Sequence, residues 1–406
     1  MAGNSLLTMT AVTKEAVALF RNSNAFIQNL DRQYDNRFGV EGAKIGTQLL
    51  IRLPNDYVVR TGPAVSLNDT NEQSTTLVVS TQKGVDVDFT TAERTLSMDD
   101  YSERVLAPMI NNLAGDVAAT IMSGVEGGVS NYVSNVDGGG AVAALTSNTI
   151  LRAGAMLTKR SAKTMGRNAV LDPDSMALCV ETMQGLFNPQ AVISKQFDTA
   201  QIYKALNFKW FEDQTVLIHT TGTFSAGTVN GANQTGTTLV TNAITGTLKA
   251  GDIITLAGVN AVNRVTKRDL GELNQFVVTA NVANGATSIP IYPALVGPTA
   301  LGGAVAYQTV AATPANGAAI ALVNQASEQY RKNIGYAPGA ITMVTADLVV
   351  PKKSVEESAR ERFDGVSMRM LTGYITGADQ LITRLDVLFG FLFIRPEWAV
   401  AIASAV

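Results

Sequence analysis

The sequence is poor in the residues from which catalytic and metal sites are built, since its 406 residues include one cysteine and one histidine. A single cysteine excludes an internal disulfide, and the apolar run MALCV around Cys179 predicts a buried, inert thiol. Any nucleophile–histidine pair would need His219, for which we expect a structural or surface role. Walker-type loops, GxGxxG and GxSxG motifs are absent. The sequence therefore predicts no catalytic, cofactor-binding or metal-binding residue, and it argues against an enzyme.

Charged residues are also scarce, at 16% of the chain, against roughly 25% in typical soluble domains. The net charge of -3 and the pI near 5.4 disfavour a protein whose main task is to grip nucleic acid through its phosphates. A weakly charged surface predicts extensive cover by partners.

Long apolar runs are missing as well. The longest, residues 387–394, is too short to cross a bilayer, so we expect no membrane span. The N-terminus lacks a basic segment followed by a continuous apolar run, so we expect no secretion signal and synthesis in a cytoplasm.

Carboxylate pairs include Asp86/Asp88, Asp99/Asp100, Asp172/Asp174 and Glu356/Glu357. The first pair lies on one face of a predicted strand, where it forms either a solvated face or a site for a divalent cation. The third pair, in an Asp-Pro-Asp sequence, predicts a turn. The fourth begins a charged run (Arg360, Glu361 and Arg362 follow) that predicts charge pairs on a helix.

The most regular pattern is the apolar stripe of residues 97–127, with one apolar side chain every four positions from Val105 to Val125. It predicts one long amphipathic helix, with a start like a capping box at Ser97. Pro108 interrupts the hydrogen-bond ladder. We expect either a bend there or a short first helix followed by a second with Pro108 in its first turn.

The chain before this helix predicts helices within residues 6–31, followed by two strand-rich runs, 45–60 and 77–89, joined by a polar tip. Such an extended hairpin needs another surface to lie on.

Further along, helical spacing predicts a helix around 149–160, and residues 169–211 indicate a strand, an Asp-Pro turn and a helix. Residues 220–309 are rich in Thr, Gly and Asn and predict a small all-β barrel or sandwich. We expect a helix over 318–329, a strand region over 341–351, and buried strands in the tail.

Five stretches in this order carry a resemblance to a known family: RQYDNRFGVEGAKIGTQLLIRLP (32–54), STQKGVDVDFTTAERTLSMDDYSERVLAPMINNLA (80–114), LKAGDIITLAGVNAVNRVTKR (248–268), QFVVTANV (275–282) and TRLDVLFGFLFIRPEWAV (383–400). Together with the order of elements, they resemble the major capsid (coat) proteins of tailed bacteriophages. The likeness is greater to the branch from short-tailed phages that carries an inserted β-domain. The resemblance implies an α+β chain with the Hong Kong-phage capsid fold.

The resemblance also implies five regions: an N-terminal arm (1–45), an extended β-hairpin loop (46–95), a peripheral domain (96–145 and 371–406) with its spine helix (97–127), an axial domain (146–221 and 311–370) and the inserted β-domain (222–310). About 45 residues precede the hairpin, which points to a separate scaffolding protein and not to a built-in scaffold.

The function that the resemblance implies is self-assembly through hexamers and pentamers into an icosahedral shell around a double-stranded DNA genome. The protein would be made and assembled in the bacterial cytoplasm and reside in the virion capsid. Its partners would be copies of itself, a scaffolding protein and a portal, with a decoration protein as a further candidate. DNA would be enclosed without sequence-specific binding, and no membrane is involved.

Candidate contact residues follow from this resemblance. Arg52 and Arg60 on the hairpin strands, and Asp69 and Glu72 at its tip, are candidates for charge pairs between subunits, although solvated charges explain them equally well. Pro108 is a candidate hinge for shell expansion.

Two alternatives stay open. One is a virion adhesin or carbohydrate-binding structural protein, because Thr/Asn/Gly-rich β-modules often bind sugars, although residues 222–310 contain few aromatics. The other is a hydrolase, which would depend on His219.

Overall fold

The chain forms two compact units, each assembled from separate stretches of sequence. This computed structural model describes residues 9–31, 48–60, 62–63, 65, 72–90, 105–183, 204–299, 304–351, 357–363, 365–375 and 380–406. The first unit comprises Met1–Ile51, Thr75–Ile121 and Ile341–Leu392, and the second comprises Arg52–Ser74, Met122–Ala340 and Phe393–Val406. Helices and sheets occur in both units, so the fold class is mixed α+β.

Two helices begin the described chain, α1 (Met9–Ser23) and α2 (Ala25–Asn29). Asn24 caps α2, since its Oδ1 accepts hydrogen bonds from the N–H groups of Phe26 at 2.9 Å and Ile27 at 3.0 Å. The predicted helices of the N-terminal region are thereby confirmed.

The long helix predicted from the apolar stripe is α3 (Ala107–Gly128). The stripe is buried, as the spacing predicted, at Met109, Leu113, Val117, Ile121 and Val125. Pro108 lies in the first turn, where helix N–H groups have no intrahelical acceptor in any case, so its missing N–H costs no hydrogen bond. Residues 97–104, which the prediction included, lie outside the described residues.

The first unit contains a five-stranded sheet of β3 (Thr81–Thr90), β15 (Ile341–Ala346), β16 (Glu357–Phe363), β17 (Val366–Ile375) and β18 (Gln380–Phe393). The strand order is β15-β18-β17-β16, and β3 pairs with β18 along ten residues, from Thr81 opposite Phe389 to Thr90 opposite Gln380. The buried strands predicted for the tail are confirmed here, and α1 packs against β16 and β17.

The charged run after Glu356 was predicted to be helical, and this prediction was wrong. Residues Glu357–Phe363 form strand β16, while Glu356 lies outside the described residues. Tertiary contacts override the local charge pattern, because Arg362 Nη2 contacts the buried carboxylate of Asp347 at 2.7 Å and Ala359 turns into the core.

The two runs of the predicted hairpin pair over a shorter length than expected. A two-stranded sheet joins β1 (Gln48–Arg52) to β2 (Ser74–Val78), and residues 53–60 are irregular. The second run divides into β2 and β3. Val78 O, at the end of β2, lies against Gly390, where a Cβ atom would come within 2.1 Å of it, so only glycine fits this approach.

The second unit contains a seven-stranded sheet. Six of its strands lie in the spatial order β4 (Tyr132–Val133), β19 (Ala399–Ala405), β14 (Gln329–Tyr336), β5 (Arg167–Leu171), β7 (Phe208–Glu212) and β6 (Lys204–Ala205). The seventh, β8 (Leu217–Thr220), also pairs with β14. Helices α4 (Ser147–Lys159) and α5 (Pro173–Met183) accompany it and share its apolar core. The predicted helix near 149–160 and the strand, Asp-Pro turn and helix after residue 169 are confirmed.

A separate sheet within the second unit has its own core. Its strands are β9 (Gly236–Val240), β10 (Ile253–Val262), β11 (Asp269–Val278), β12 (Ser288–Leu295) and β13 (Ile320–Leu322), in the order β13-β10-β11-β12-β9. Apolar side chains from Phe224 to Ile320 fill the core beneath it, and a 3-10 turn, Ala304–Tyr307, precedes β13. We call residues 222–323 the β-module. The all-β prediction is confirmed, whereas the helix predicted over 318–329 was wrong, because β13 pairs with β10.

Candidate assembly interface

The four charged residues proposed from the sequence do not form one cluster. Arg52 Nη1 lies 3.6 Å from Glu72 Oε2, and their side chains are 75% and 58% exposed. Arg60 donates a hydrogen bond to the carbonyl of Gly62, and Asp69 lies outside the described residues. An exposed pair such as Arg52–Glu72 contributes about 0–1 kcal/mol, so these charges alone cannot hold an assembly together.

Exposed apolar side chains are the more distinctive feature of this part of the chain. We call residues 48–78 the hairpin segment. Among its described residues, five large apolar side chains are exposed: Leu50 (61%), Tyr57 (53%), Val59 (86%), Val65 (81%) and Val78 (42%). Single exposed apolar residues are ordinary on a monomer, whereas a concentration of them on one short segment makes that segment a candidate contact surface. These apolar residues were not among the candidates predicted from the sequence, although the run Tyr57–Val59 after Pro54 is apolar throughout.

At its base, which we define as Asn55 and Asp56, the hairpin segment contacts Tyr307 and Arg264 of the β-module. Arg264 Nε donates to Asp56 Oδ2, and Arg264 Nη1 donates to Glu397 Oε1 at 2.7 Å. The guanidinium also lies 5.8 Å from the centre of the Tyr307 ring, and Tyr307 Oη donates to Asn55 Oδ1 at 3.4 Å. We call these five residues the Arg264 cluster.

Electrostatics holds the Arg264 cluster together. Burial lowers the pKa of the Arg264 guanidinium, but the carboxylates of Glu397 and Asp56 outweigh burial, and the pKa is raised overall. Asp56 and Glu397 lie 208 and 133 residues from Arg264 in sequence. The sequence contains no local pattern that could have linked them.

The carboxylates that the sequence analysis weighed as a cation site have protein partners. Asp86 accepts two hydrogen bonds from Arg384, at 2.8 and 2.7 Å, and these lower the pKa of the Asp86 carboxyl group. Gln380 donates to Asp88 at 3.2 Å. Asp174 N donates to Asp172 Oδ2 in the predicted turn. Among the residues that the structure describes, no three His, Cys, Asp or Glu side chains come together as a metal site.

Both residues from which a nucleophilic site could have been built are buried. His219 is 3% exposed, and its Nε2 lies 2.8 Å from Oδ1 of the fully buried Asp252. The Cys179 side chain is also fully buried, and burial raises the pKa of its thiol to about 12, which keeps it protonated at neutral pH. The predicted structural role of His219 and burial of Cys179 therefore agree with the structure. In the described ranges, no helix is long and apolar enough to cross a membrane.

No curated protein sequence matches the chain. Similar solved structures include one from Mycobacterium phage Che8, with 10% identity and a TM-score of 0.48 over 93% of this chain and 90% of that chain. The capsid of Ralstonia phage GP4 has 8% identity and a TM-score of 0.47, over 93% and 87% of the two chains. A virus-like particle from Pyrococcus furiosus has 7% identity and a TM-score of 0.40, over 96% and 97%.

The family comparison covers almost the whole sequence. Residues 1–402 match the model of the family described as P22 coat protein, gene protein 5. The matched range contains the hairpin segment, α3, the β-module and most of the last strand. The chain therefore belongs to the P22 coat protein family, and it is the major capsid protein of a tailed phage, a structural and non-enzymatic component of the icosahedral virion shell.

Proposed function

We propose that the subunits of this coat protein join as hexamers and pentamers and that the hairpin segment of each subunit lies on its neighbour. The exposed apolar side chains of the hairpin segment are the observation that carries this proposal. Contacts that repeat from subunit to subunit around a closed ring bury the same patch on every copy. Each contact can be weak, because the number of contacts gives the shell its strength.

The regional division implied by the resemblance is part of the proposal. Residues 1–45 would form the N-terminal arm, 46–95 the extended loop, and 222–310 the inserted domain. The separate apolar core of the β-module supports the last of these. The peripheral domain would comprise residues 96–145 and 371–406, and the axial domain residues 146–221 and 311–370.

The shell would enclose double-stranded DNA without binding it tightly. A net charge of -3 over 406 residues supports this, because a strongly basic subunit would hold the packaged genome through its phosphates. We further propose a separate scaffolding protein and a portal as assembly partners, with a decoration protein on the outside as an additional candidate. Membership of a coat protein family supports partners of this kind.

Sedimentation velocity of the purified protein, with electron microscopy of any fast fraction, tests the proposal. We expect closed shells, or rings of five and six subunits. A species of one to three chains that stays small even when the protein is co-expressed with the scaffolding protein encoded beside it would contradict the proposal.

Pro108 remains the proposed hinge for shell expansion. Residues 105–106, just before α3, form a π-helical turn, and proline disfavours regular α-helical geometry at the residue before it, so Pro108→Ala should make this end of the helix more regular. We expect the temperature at which purified precursor shells expand to rise by several degrees, measured by light scattering and electron microscopy.

Gly115→Ala is the matched control, since a Cβ atom there meets nothing within 4 Å and raises helix propensity by about 1 kcal/mol away from Pro108. An expansion temperature that is unchanged by Pro108→Ala, or that rises equally in the Gly115 control, would exclude Pro108 as the hinge.

A further inference from the structure

The Arg264 cluster includes two residues of the hairpin segment, Asn55 and Asp56, which follow strand β1. Five of residues 52–60 are exposed, and Asn55 and Asp56 are among the four half-buried ones. These two residues make the polar contacts to the β-module, one to Tyr307 and one to Arg264. These polar contacts therefore involve Asn55 and Asp56 and not the exposed side chains of Tyr57 and Val59.

The turn that carries Arg264 is held firmly. It connects β10 to β11, and Asn263 Oδ1 accepts hydrogen bonds from the N–H groups of Val265 and Thr266, each at 3.0 Å. Asn263 also exchanges backbone hydrogen bonds with Lys267 and Arg268, at 2.8 and 2.9 Å. A side chain on so restrained a turn can fix the position of its partners, because little conformational freedom remains in its own backbone.

Two further contacts hold the turn and the Arg264 guanidinium, one from Asn263 and one from Glu397. Asn263 Nδ2 donates to the carbonyl of Lys159 at the end of α4, at 3.1 Å. Glu397, in the short 3-10 turn before β19, accepts from Nη1 of Arg264 on the side away from Nε. Arginine suits this place because Nε and Nη1 reach two carboxylates at once, which a lysine ammonium on a flexible stem does not reproduce.

A cavity of about 290 Å³ adjoins the cluster and is lined by Arg264, Tyr307, Glu397 and Gln73, among others. The polar contacts between the hairpin segment and the β-module beside this cavity are the Asp56–Arg264 ion pair and the Tyr307–Asn55 hydrogen bond.

We infer that Arg264 is a positioning residue that fixes the base of the hairpin segment to the β-module, so that the module determines where each hairpin segment meets its neighbour. The statement about the neighbour rests on the proposed function. The attachment itself is a property of the free subunit and can be tested without any shell.

Trypsin cleavage of the free subunit provides the test, because Arg60 lies on the hairpin segment and native-state cleavage follows local opening. The cleavage rate after Arg60 is compared with the rate after Lys163, an exposed internal reference in the same chain. We expect Arg264→Gln and Asp56→Asn each to raise this ratio roughly tenfold, because each breaks a charged hydrogen bond at the base. Arg264→Lys keeps the charge but loses the fork, and it should give an intermediate ratio.

Glu272→Gln is the matched control. It breaks the ion pair between Lys159 and Glu272, which also involves the β-module but does not touch the hairpin segment. We expect it to leave the ratio unchanged, and all four variants should remain folded, with the thermal unfolding midpoint lowered by no more than a few degrees.

Two results would overturn the inference: an unchanged cleavage ratio in both Arg264→Gln and Asp56→Asn, or an equal increase in Glu272→Gln. If the wild-type protein forms no shells but the cleavage ratios change as expected, the proposed function fails and the attachment stands. If shells form, the two base variants should give particles of more varied size by electron microscopy than the Glu272 control.

Discussion

Val59→Asp is expected to abolish shell formation while leaving the subunit folded. The Val59 side chain is 86% exposed and lies in the irregular part of the hairpin segment, so an aspartate there meets only solvent in the free subunit. Surface substitutions of this kind change the free energy of unfolding by about 0.5 kcal/mol or less. In a subunit contact, however, the carboxylate would be buried without a partner, which costs several kcal/mol at every repeat of the contact.

The measurement is the distribution of sedimenting species, together with the thermal unfolding midpoint of the subunit. Wild-type protein should sediment as shells, and the Val59→Asp protein as small species with an unchanged midpoint. Val59→Ile keeps the apolar surface and should still form shells.

Val349→Asp is the matched control, because Val349 is an exposed valine (69%) outside both the hairpin segment and the β-module. We expect it to assemble. Shells in normal yield from Val59→Asp would show that the hairpin segment is not covered by a neighbour. Equal loss of shells from Val349→Asp would show that the effect is not specific to the hairpin segment.

The sequence was sufficient for elements whose side-chain pattern is decided locally. The stripe of α3 and the Asp-Pro turn before α5 each depend on spacings within about four residues, and both predictions were correct. The alternating Thr- and Val-rich runs were sufficient to predict the β-module for the same reason.

Two predictions were wrong where contacts between distant residues determine the secondary structure. The run ESARERF has charges at helical spacing, yet it is strand β16, because Arg360 and Arg362 reach the Asp347 region and the strand pairs along its whole length with β17. Residues 320–322 form a strand only because β10 offers them an edge. Both outcomes depend on partners that local spacing does not reveal.

The candidate interface shows the same division. The hairpin segment could be located from the sequence as two strand-rich runs around a polar tip, and its need for an outside surface follows from its exposed apolar side chains. Its attachment could not be predicted, since Asp56, Arg264 and Glu397 come from three distant parts of the chain. Of the four charged residues chosen from the sequence, the structure shows one exposed ion pair, between Arg52 and Glu72.

Asp252→Ala is expected to lower the free energy of unfolding by about 3–5 kcal/mol, the usual cost of removing one partner from a buried charged or strongly polar pair. Asp252 is fully buried where the chain turns into β10. Its Oδ1 lies 2.8 Å from Nε2 of His219, and its Oδ2 accepts from the N–H groups of Lys249 at 2.7 Å and Gly222 at 3.1 Å.

These contacts join the β-module to the seven-stranded sheet. His219 belongs to β8 of that sheet, and Gly222 is the first residue of the β-module. Nearby, the buried Lys332 of β14 donates to the carbonyl of Gly251 at 3.0 Å. Asp252→Ala removes the acceptor that His219 of the sheet shares with Gly222 and Lys249 of the β-module. We therefore expect the β-module to unfold at lower urea than the seven-stranded sheet.

Urea unfolding followed by circular dichroism and by tryptophan fluorescence measures the effect, since both tryptophans of the chain, Trp210 and Trp398, report on the seven-stranded sheet and its surroundings. We expect Asp252→Ala to shift the circular dichroism transition to lower urea by more than the fluorescence transition. As the only histidine, His219 also provides imidazole proton signals that report directly on the altered site.

Asp269→Ala is the control, because Asp269 is an exposed aspartate of the same β-module that accepts hydrogen bonds from Gly271 N at 2.7 Å and Asn260 Nδ2 at 3.0 Å. Its loss should change the unfolding transition little, since water replaces an exposed acceptor. A stability loss below about 1 kcal/mol for Asp252→Ala would show that His219 and the two backbone N–H groups find other acceptors. The connection between the β-module and the sheet would then depend on its apolar contacts and not on Asp252.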